Sequence, residues 1–229
     1  MIDWLAPSPV GFPPPDSALE TPNGLLAAGG DLTPDWLLAA YRCGVFPWFN
    51  DGDPILWWSP DPRMVLFPEE LRVRRSLAKR LRNSGMKVTF NQAFEAVITQ
   101  CAEQRQAQEG TWISPDIVKA YVTMHELGYG HSVEVWEGDI LVGGLYGLML
   151  GRVFFGESMF SIRSDSSKIA LVRLVEWLYR QHDLAMVDCQ MHTSHLASMG
   201  ARDIPRNQFS ALLKRHIPAV LQEASMLRR

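Results

Sequence analysis

Twelve of the 15 prolines in this 229-residue chain lie in residues 1–68. Proline fixes φ and removes a backbone donor, which restricts such a segment to turns, short edge strands and brief helices. The rest of the chain has room for longer elements. This change of texture predicts a small proline-rich unit over residues 1–62 and a larger one over residues 63–229. In the first unit, Thr33-Pro34-Asp35 reads as a helix start, with Trp36, Leu37, Ala40 and Tyr41 on the apolar face and Gly44 at the end. Residues 55–58 and 63–67 read as short strands around the Ser59-Pro60-Asp61-Pro62 corner.

In the second unit, the spacing predicts a helix over residues 74–84, a strand over 87–90 and a helix that Asn91 caps, running to about residue 105. A further helix starts at Ser114-Pro115-Asp116. Three strands follow, over residues 132–137, 140–150 and 152–160, with turns at Gly138-Asp139 and Gly151. Helices over 166–181 and 193–199 flank a strand over 184–190, and Asn207 is the expected cap of a last helix. The order predicts an α+β fold in which helices cover a mostly antiparallel sheet.

Hydrophobic residues make up 47% of the chain and charged residues 21%, which excludes a disordered or fibrous protein. The longest nearly apolar run, residues 141–150, falls far short of the roughly 20 residues a membrane span needs. Asp3 and the early prolines do not fit a signal peptide. Cys43, Cys101 and Cys189 are odd in number and far apart, so neither a disulfide framework nor a metal site is expected, and a cytoplasmic location is. The net charge of −3 argues against a general nucleic-acid binder, yet it is unevenly spread. Residues 1–62 hold eight acidic residues and one basic residue, Arg42, whereas residues 63–87 hold eight basic residues and two acidic ones. A local basic patch can hold a polyanion on an acidic protein because screening limits each charge to about 10 Å. A solvated helix face is the alternative.

No phosphate loop, dinucleotide fingerprint or nucleophile elbow is present. His192 and His195 lack the carboxylates that would complete a metal site, and Cys189 reads as a core thiol. Two strand segments stand out. In residues 153–160, alternation places Phe155, Glu157 and Met159 on one face and Phe154, Gly156, Ser158 and Phe160 on the other. A carboxylate among Phe and Met is costly unless it is paired or bound to something. In Val187-Asp188-Cys189-Gln190, Asp188 and Gln190 share a face and have complementary hydrogen-bonding ability. For the first segment an edge glutamate in water, and for the second a strand-end cap, remain as structural alternatives.

These residues also carry a resemblance. The blocks Pro22-Asn23-Gly24-Leu25-Leu26, Gly29-Gly30-Asp31-Leu32, Gly44-Val45-Phe46-Pro47-Trp48-Phe49 and Leu56-Trp57-Trp58-Ser59-Pro60-Asp61-Pro62-Arg63 resemble the leucyl/phenylalanyl-tRNA–protein transferase family. So do Gly110-Thr111-Trp112-Ile113, His125-Glu126-Leu127-Gly128, Gly143-Gly144-Leu145-Tyr146-Gly147, residues 156–161 and Asp188-Cys189-Gln190. The resemblance covers roughly residues 12–206. The chain departs from the pattern at its start, in residues 104–109, at Thr193 and after Arg206.

The resemblance implies a cytoplasmic enzyme that moves Leu, Phe or, less often, Met from aminoacyl-tRNA to the α-amine of proteins beginning with Arg or Lys, creating a degradation signal. It implies a larger domain similar to the acetyltransferase (GNAT-like) fold. Coenzyme A users of that fold bind pyrophosphate at a glycine-rich turn; residues 163–167 here lack glycine, so an aminoacyl ester is expected as donor and no cofactor. Leu145, Phe154, Phe155, Ser158 and Met159 are then expected at the donor pocket, and Trp48, Trp112 and Tyr121 as faces for the terminal adenosine. Arg74, Arg75, Lys79, Arg80 and Arg82 are expected to grip tRNA phosphates. As catalytic residues, Asp188 is expected to orient Gln190, whose carbonyl accepts from the attacking amine, while Glu157 binds a cationic group of the acceptor. A coenzyme A-dependent acetyltransferase and a non-catalytic tRNA-binding module are the rival readings.

Overall fold

A computed structural model describes residues 2–107 and 111–219. Gly110 of the glycine–tryptophan block, and residues 220–229 of the second unit, lie outside the described residues. The chain opens with β1 (Asp3–Leu5), β2 (Leu25–Gly29), α1 (Pro34–Cys43), β3 (Phe46–Pro47) and β4 (Leu56–Trp58), and these strands form a four-stranded sheet in the order β1-β2-β4-β3. Proline costs little here because the strands are short and tryptophan side chains supply missing donors. Trp57 Nε1 donates to the Gly29 carbonyl at 2.8 Å, and Trp36 Nε1 to the Pro7 carbonyl at 3.0 Å. Gly44 ends α1 at φ 78°, a left-handed value that glycine reaches without strain.

There follow β5 (Arg63–Leu66), α2 (Arg75–Asn83), β6 (Lys87–Phe90), α3 (Phe94–Gln106), α4 (Pro115–Glu126), β7 (Gly130–Glu137), β8 (Ile140–Leu150) and β9 (Val153–Ser161). The chain continues with α5 (Ser166–His182), β10 (Met186–Gln190), α6 (Ser194–Ser198), β11 (Arg202–Ile204) and α7 (Arg206–His216). Seven strands form the second sheet in the order β11-β5-β10-β9-β8-β7-β6, antiparallel except where β10 runs parallel to β9. This is the expected α+β class.

Each face of the large sheet has its own core. On one face Leu77 of α2 and Ile169, Leu171, Leu174 and Leu178 of α5 pack against Met64, Val133, Phe154 and Val187. On the other, Phe94, Val97 and Ile98 of α3 and Tyr121 of α4 join Trp36, Tyr41 and Trp57 of the first unit around Phe155 and Phe160. One continuous core thus runs from the small sheet to the large one.

Two expected caps are replaced. Asn91 takes φ 58° and its side chain accepts from Ser132 N at 3.0 Å, so it belongs to the β6–β7 pairing. The α3 start is instead served by Glu134, a buried carboxylate that accepts from Gln92 N and Ala93 N, each at 3.4 Å. Asn207 lies inside α7, which starts one residue earlier. Ser114 caps α4 as expected, accepting from Ile117 N at 3.3 Å.

His131 on β7 is 3% exposed, and burial, reinforced by the neighbouring His125, holds its pKa down to about 3. Its neutral form is therefore bound up with the folded state. The unfolded chain binds a proton below the ordinary histidine value near 6.5, so this contribution is complete above that pH and is lost as pH falls towards 3. The expected cost is about 2 kcal/mol of stability between pH 7 and pH 5. Denaturant titrations at the two pH values check this, since His131→Leu removes that part of the slope.

Candidate active site

The site arises where two paired strands part. β9 and β10 pair only over Met186↔Val153, Val187↔Phe154 and Asp188↔Phe155, although β9 continues to Ser161. Just past that point each strand carries a bulge. On β9, Gly147 of β8 faces Gly156 and Tyr146 faces Ser158, leaving Glu157 as the extra residue. On β10, Val65 of β5 faces Asp188 and Met64 faces Gln190, leaving Cys189 as the extra residue. Bulges bend a strand and redirect its side chains. Gly147 is required opposite the first, because a Cβ there would collide with the Phe155 carbonyl.

The bulge corrects the expected alternation along β9. Phe154 and Met159 belong to the core on the α5 face, whereas Phe155 and Phe160 belong to the opposite one. Phe154 and Met159, with Leu145, line a cavity of about 580 Å³ between the diverging strands. Leu171 and Leu174 of α5 and Val187 complete its apolar wall. Phe155, expected at the pocket, is fully buried and packs on Tyr41 with ring centroids 5.0 Å apart. It is a core residue. Ser158 lines the cavity and its Oγ accepts from Arg105 Nε at 3.0 Å. Trp48 and Trp112 line the cavity as well.

Tyr121 does not lie at the cavity, correcting its assignment as an adenosine platform. It is fully buried in the apolar face of α4, and its hydroxyl donates to Glu157 Oε2 at 3.0 Å. Tyr41 of α1 donates to Glu157 Oε1 at 2.6 Å, and the two phenol oxygens are also in contact. Two phenolic protons serve two of these three contacts while Glu157 is ionised, and its carboxyl proton serves the third when it is protonated. Burial, followed by the adjacent carboxylate, holds both phenols far above their usual pKa range, so they remain donors. Burial also pushes Glu157 up to about 7, against the two phenol bonds and the Arg63 charge that pull it down; the Asp188 charge adds to the rise. A carboxyl poised near neutrality at the wall of a cavity can gain or lose a proton at working pH.

Asp188 and Gln190 meet differently from the expected pairing. Gln190 takes φ 62°, a left-handed value that only a supported non-glycine residue keeps. The support is Asp188, whose Oδ1 accepts from the Gln190 backbone N at 2.9 Å. The side-chain amide turns the other way, and Nε2 donates to Glu157 Oε1 at 3.0 Å. Same-face logic fails here because the Cys189 bulge lies between the two residues. Glu157 orients the Gln190 amide, and Asp188 holds its backbone.

Asp188 is in turn gripped by Arg63, a residue that strand patterning alone does not mark as functional. Both are fully buried. Arg63 Nε donates to Oδ1 at 2.8 Å and its terminal nitrogen to Oδ2 at 2.7 Å, the fork geometry of a bidentate pair. The guanidinium is sandwiched between the rings of Phe46 and Phe209, 4.8 and 4.7 Å from their centroids. The available signal was a charge opening the apolar run Met64-Val65-Leu66-Phe67, and the strand proves to be buried along its whole length. Tyr41 carried no separate signal, since a helical aromatic on an apolar face reads as core.

The basic residues Arg74, Arg75, Lys79, Arg80 and Arg82 stand exposed on or beside α2, outside the cavity. Arg80 pairs with Asp165 at 3.3 Å. Among the described residues no cluster of His, Cys, Asp or Glu has the makings of a metal site, and no helix is long and apolar enough to cross a membrane.

Residues 65–214 match the family model described as leucyl/phenylalanyl-tRNA protein transferase, and residues 30–61 match that of its N-terminal domain. A leucyl/phenylalanyl-tRNA–protein transferase of Chromohalobacter salexigens is 61% identical over 219 residues, covering 96% of this chain and 85% of its own. One of Azoarcus sp. is 60% identical over 215 residues, covering 94% of this chain and 91% of its own. Among solved structures, a GCN5-related N-acetyltransferase from Kribbella flavida is a distant likeness, with TM-score 0.36 and 10% identity over 74% of this chain and 60% of that one. On the strength of the family match and these relatives, the chain belongs to the leucyl/phenylalanyl-tRNA protein transferase family and is a transferase.

Proposed function

We propose that this protein transfers leucine or phenylalanine, and less readily methionine, from aminoacyl-tRNA to the α-amine of proteins whose first residue is Arg or Lys, marking them for degradation in the cytoplasm. The observation that carries the reading is the cavity between β9 and β10, which has an apolar wall and ends at the Glu157–Gln190 pair. The donor side chain enters against Leu145, Phe154 and Met159, where methionine sulfur adapts to aliphatic or aromatic shape. Ser158 lines the same pocket, Trp48 and Trp112 stack on the terminal adenosine, and the exposed α2 cations hold acceptor-stem phosphates. The division at residue 62 separates an acidic unit from this basic helix, and the acidic side suits a cationic acceptor. No cofactor or metal has a part in this reading.

The ester is already activated, so the enzyme's task is alignment and the handling of protons. The acceptor α-ammonium binds between Glu157 and the Gln190 carbonyl. One proton passes to the Glu157 carboxylate, directly or through water, and the neutral amine attacks the ester carbon. The new C–N bond forms as the bond to the ribose oxygen breaks, and that oxygen takes the second proton. Asp188 contributes by fixing the Gln190 backbone, with Arg63 fixing Asp188.

Transfer of labelled leucine from leucyl-tRNA to a peptide beginning with Arg, and not to one beginning with Ala, is the expected result. Retention of leucyl-tRNA without transfer would leave only a binding module, and thiol release from acetyl-coenzyme A would favour an acetyltransferase. Enlarging the pocket by Phe154→Ala is expected to shift the ratio of leucine to phenylalanine transfer by about 1–3 kcal/mol in transition-state discrimination. Competition between the two charged tRNAs measures it; an unchanged ratio would return Phe154 to the core.

A further inference from the structure

From the cavity rim we infer that Arg105 is a phosphate-binding residue, holding the phosphodiester that joins the last two nucleotides of the donor tRNA. This rests on the aminoacyl-tRNA reading above. Arg105 is the only lysine or arginine among the described residues lining the cavity. Its Nε is spent on Ser158 Oγ at 3.0 Å, and among the described residues no carboxylate pairs with it. A guanidinium carries five N–H donors in a planar fork, so fixing Nε leaves the paired terminal nitrogens free and oriented. That fork matches two oxygens of a phosphate.

The arginine is held in place from behind. Its neighbour Gln104 is stapled to β9 through Ser161, which donates N–H to Gln104 Oε1 at 3.0 Å and accepts from Nε2 at 3.2 Å through its carbonyl. Ser161 continues the rim to α5, its hydroxyl 2.9 Å from that of Ser166. Asp165, just before Ser166, pairs with Arg80 of the basic helix. One chain of contacts therefore links the exposed cations of α2 to Arg105. The terminal phosphodiester of a polyanion held by these residues is assigned to Arg105, the one lysine or arginine among the described residues of the cavity wall. There Trp48 and Trp112 offer faces for the terminal base.

The test is titration of the full chain with cytidylyl-adenosine and with its methylphosphonate analogue, which has the same bases and a neutral linkage. The wild-type protein is expected to prefer the charged dinucleotide by roughly tenfold or more, the scale of one hydrogen bond to a charged group. Added salt is expected to erode that preference. Arg105→Ala is expected to abolish the preference with unchanged melting temperature, and Arg105→Lys to restore part of it. The inference is overturned if Arg105→Ala keeps the preference, if it weakens both dinucleotides equally, or if the wild-type protein has no preference or binds neither. Failure of label transfer to an Arg-peptide would remove the transferase reading while leaving this binding difference standing.

Discussion

Arg63→Met is expected to lower folding stability by about 3–5 kcal/mol, the largest effect of any single change at the site. The reason is what it leaves behind. Asp188 is fully buried and takes three hydrogen bonds, two of them from Arg63. Removing the cation leaves a carboxylate in an apolar setting with only the Gln190 N–H to satisfy it. The guanidinium also fills the space between Phe46 of the small unit and Phe209 of α7, so the loss is felt where three parts of the chain meet. Pairing Arg63→Met with Asp188→Leu is expected to recover most of the stability, because an apolar pair can replace a buried ion pair at little cost. It is not expected to recover transfer. Without Asp188, nothing holds Gln190 at φ 62°, and the amide loses its aim. Denaturant unfolding beside single-turnover transfer separates the two effects. Equal recovery of both would mean that the ion pair serves packing alone.

The second large effect concerns Glu157 and Gln190. Each of Glu157→Gln and Gln190→Ala is expected to slow single-turnover transfer by about 10²–10⁴, the range for loss of a positioned proton-transfer group. The double change is expected to cost little more than the worse single one. The two side chains form one device: Glu157 Oε1 fixes the Gln190 amide nitrogen, which leaves the carbonyl for the incoming amine. Binding of the donor is expected to change little, because the apolar wall is formed by other residues. Fully additive losses would assign two independent roles.

Much of the fold was legible because it is local. The span of β8 and the turns on either side of it follow from a nearly continuous apolar run bounded by glycine turns, and β6 from its short mixed run. The start of α1 follows from Thr33-Pro34, and α5 from its long apolar face. The strands β1, β2, β3 and β11 were not legible. They are two to five residues long and exist through their partners, as where β1 pairs in parallel with β2. The caps at Asn91 and Asn207 misled for a related reason, since a short polar side chain serves a strand pair or a helix interior as readily as a helix end.

At the site, Glu157, Asp188 and Gln190 stood out because polar groups in apolar strands need a reason. Their mutual geometry did not follow, because it depends on two bulges that are visible only once β8 and β5 are in place. Met159 was placed with Phe155 for the same reason, whereas Phe155 was rightly placed opposite Phe154 and wrongly assigned to the pocket. Tyr121 was legible as an aromatic, but its destination depends on α4 folding over Glu157, and Tyr41 arrives from a different unit of the chain. Long-range partners of this kind leave no periodic trace.

The most direct test of Glu157 as proton acceptor is the pH profile of single-turnover transfer with saturating donor. Transfer needs the carboxylate, so the rate is expected to rise with pH through an inflection near 7, where burial has placed Glu157. Tyr41 touches Glu157 rather than the cavity, and its hydrogen bond favours the ionised form. Tyr41→Phe is therefore expected to move the inflection upward while leaving the rate on the alkaline plateau nearly intact, and Glu157→Gln to remove this inflection and leave only that of the acceptor amine. Profiles that superimpose for the wild-type and Tyr41→Phe proteins would contradict the account.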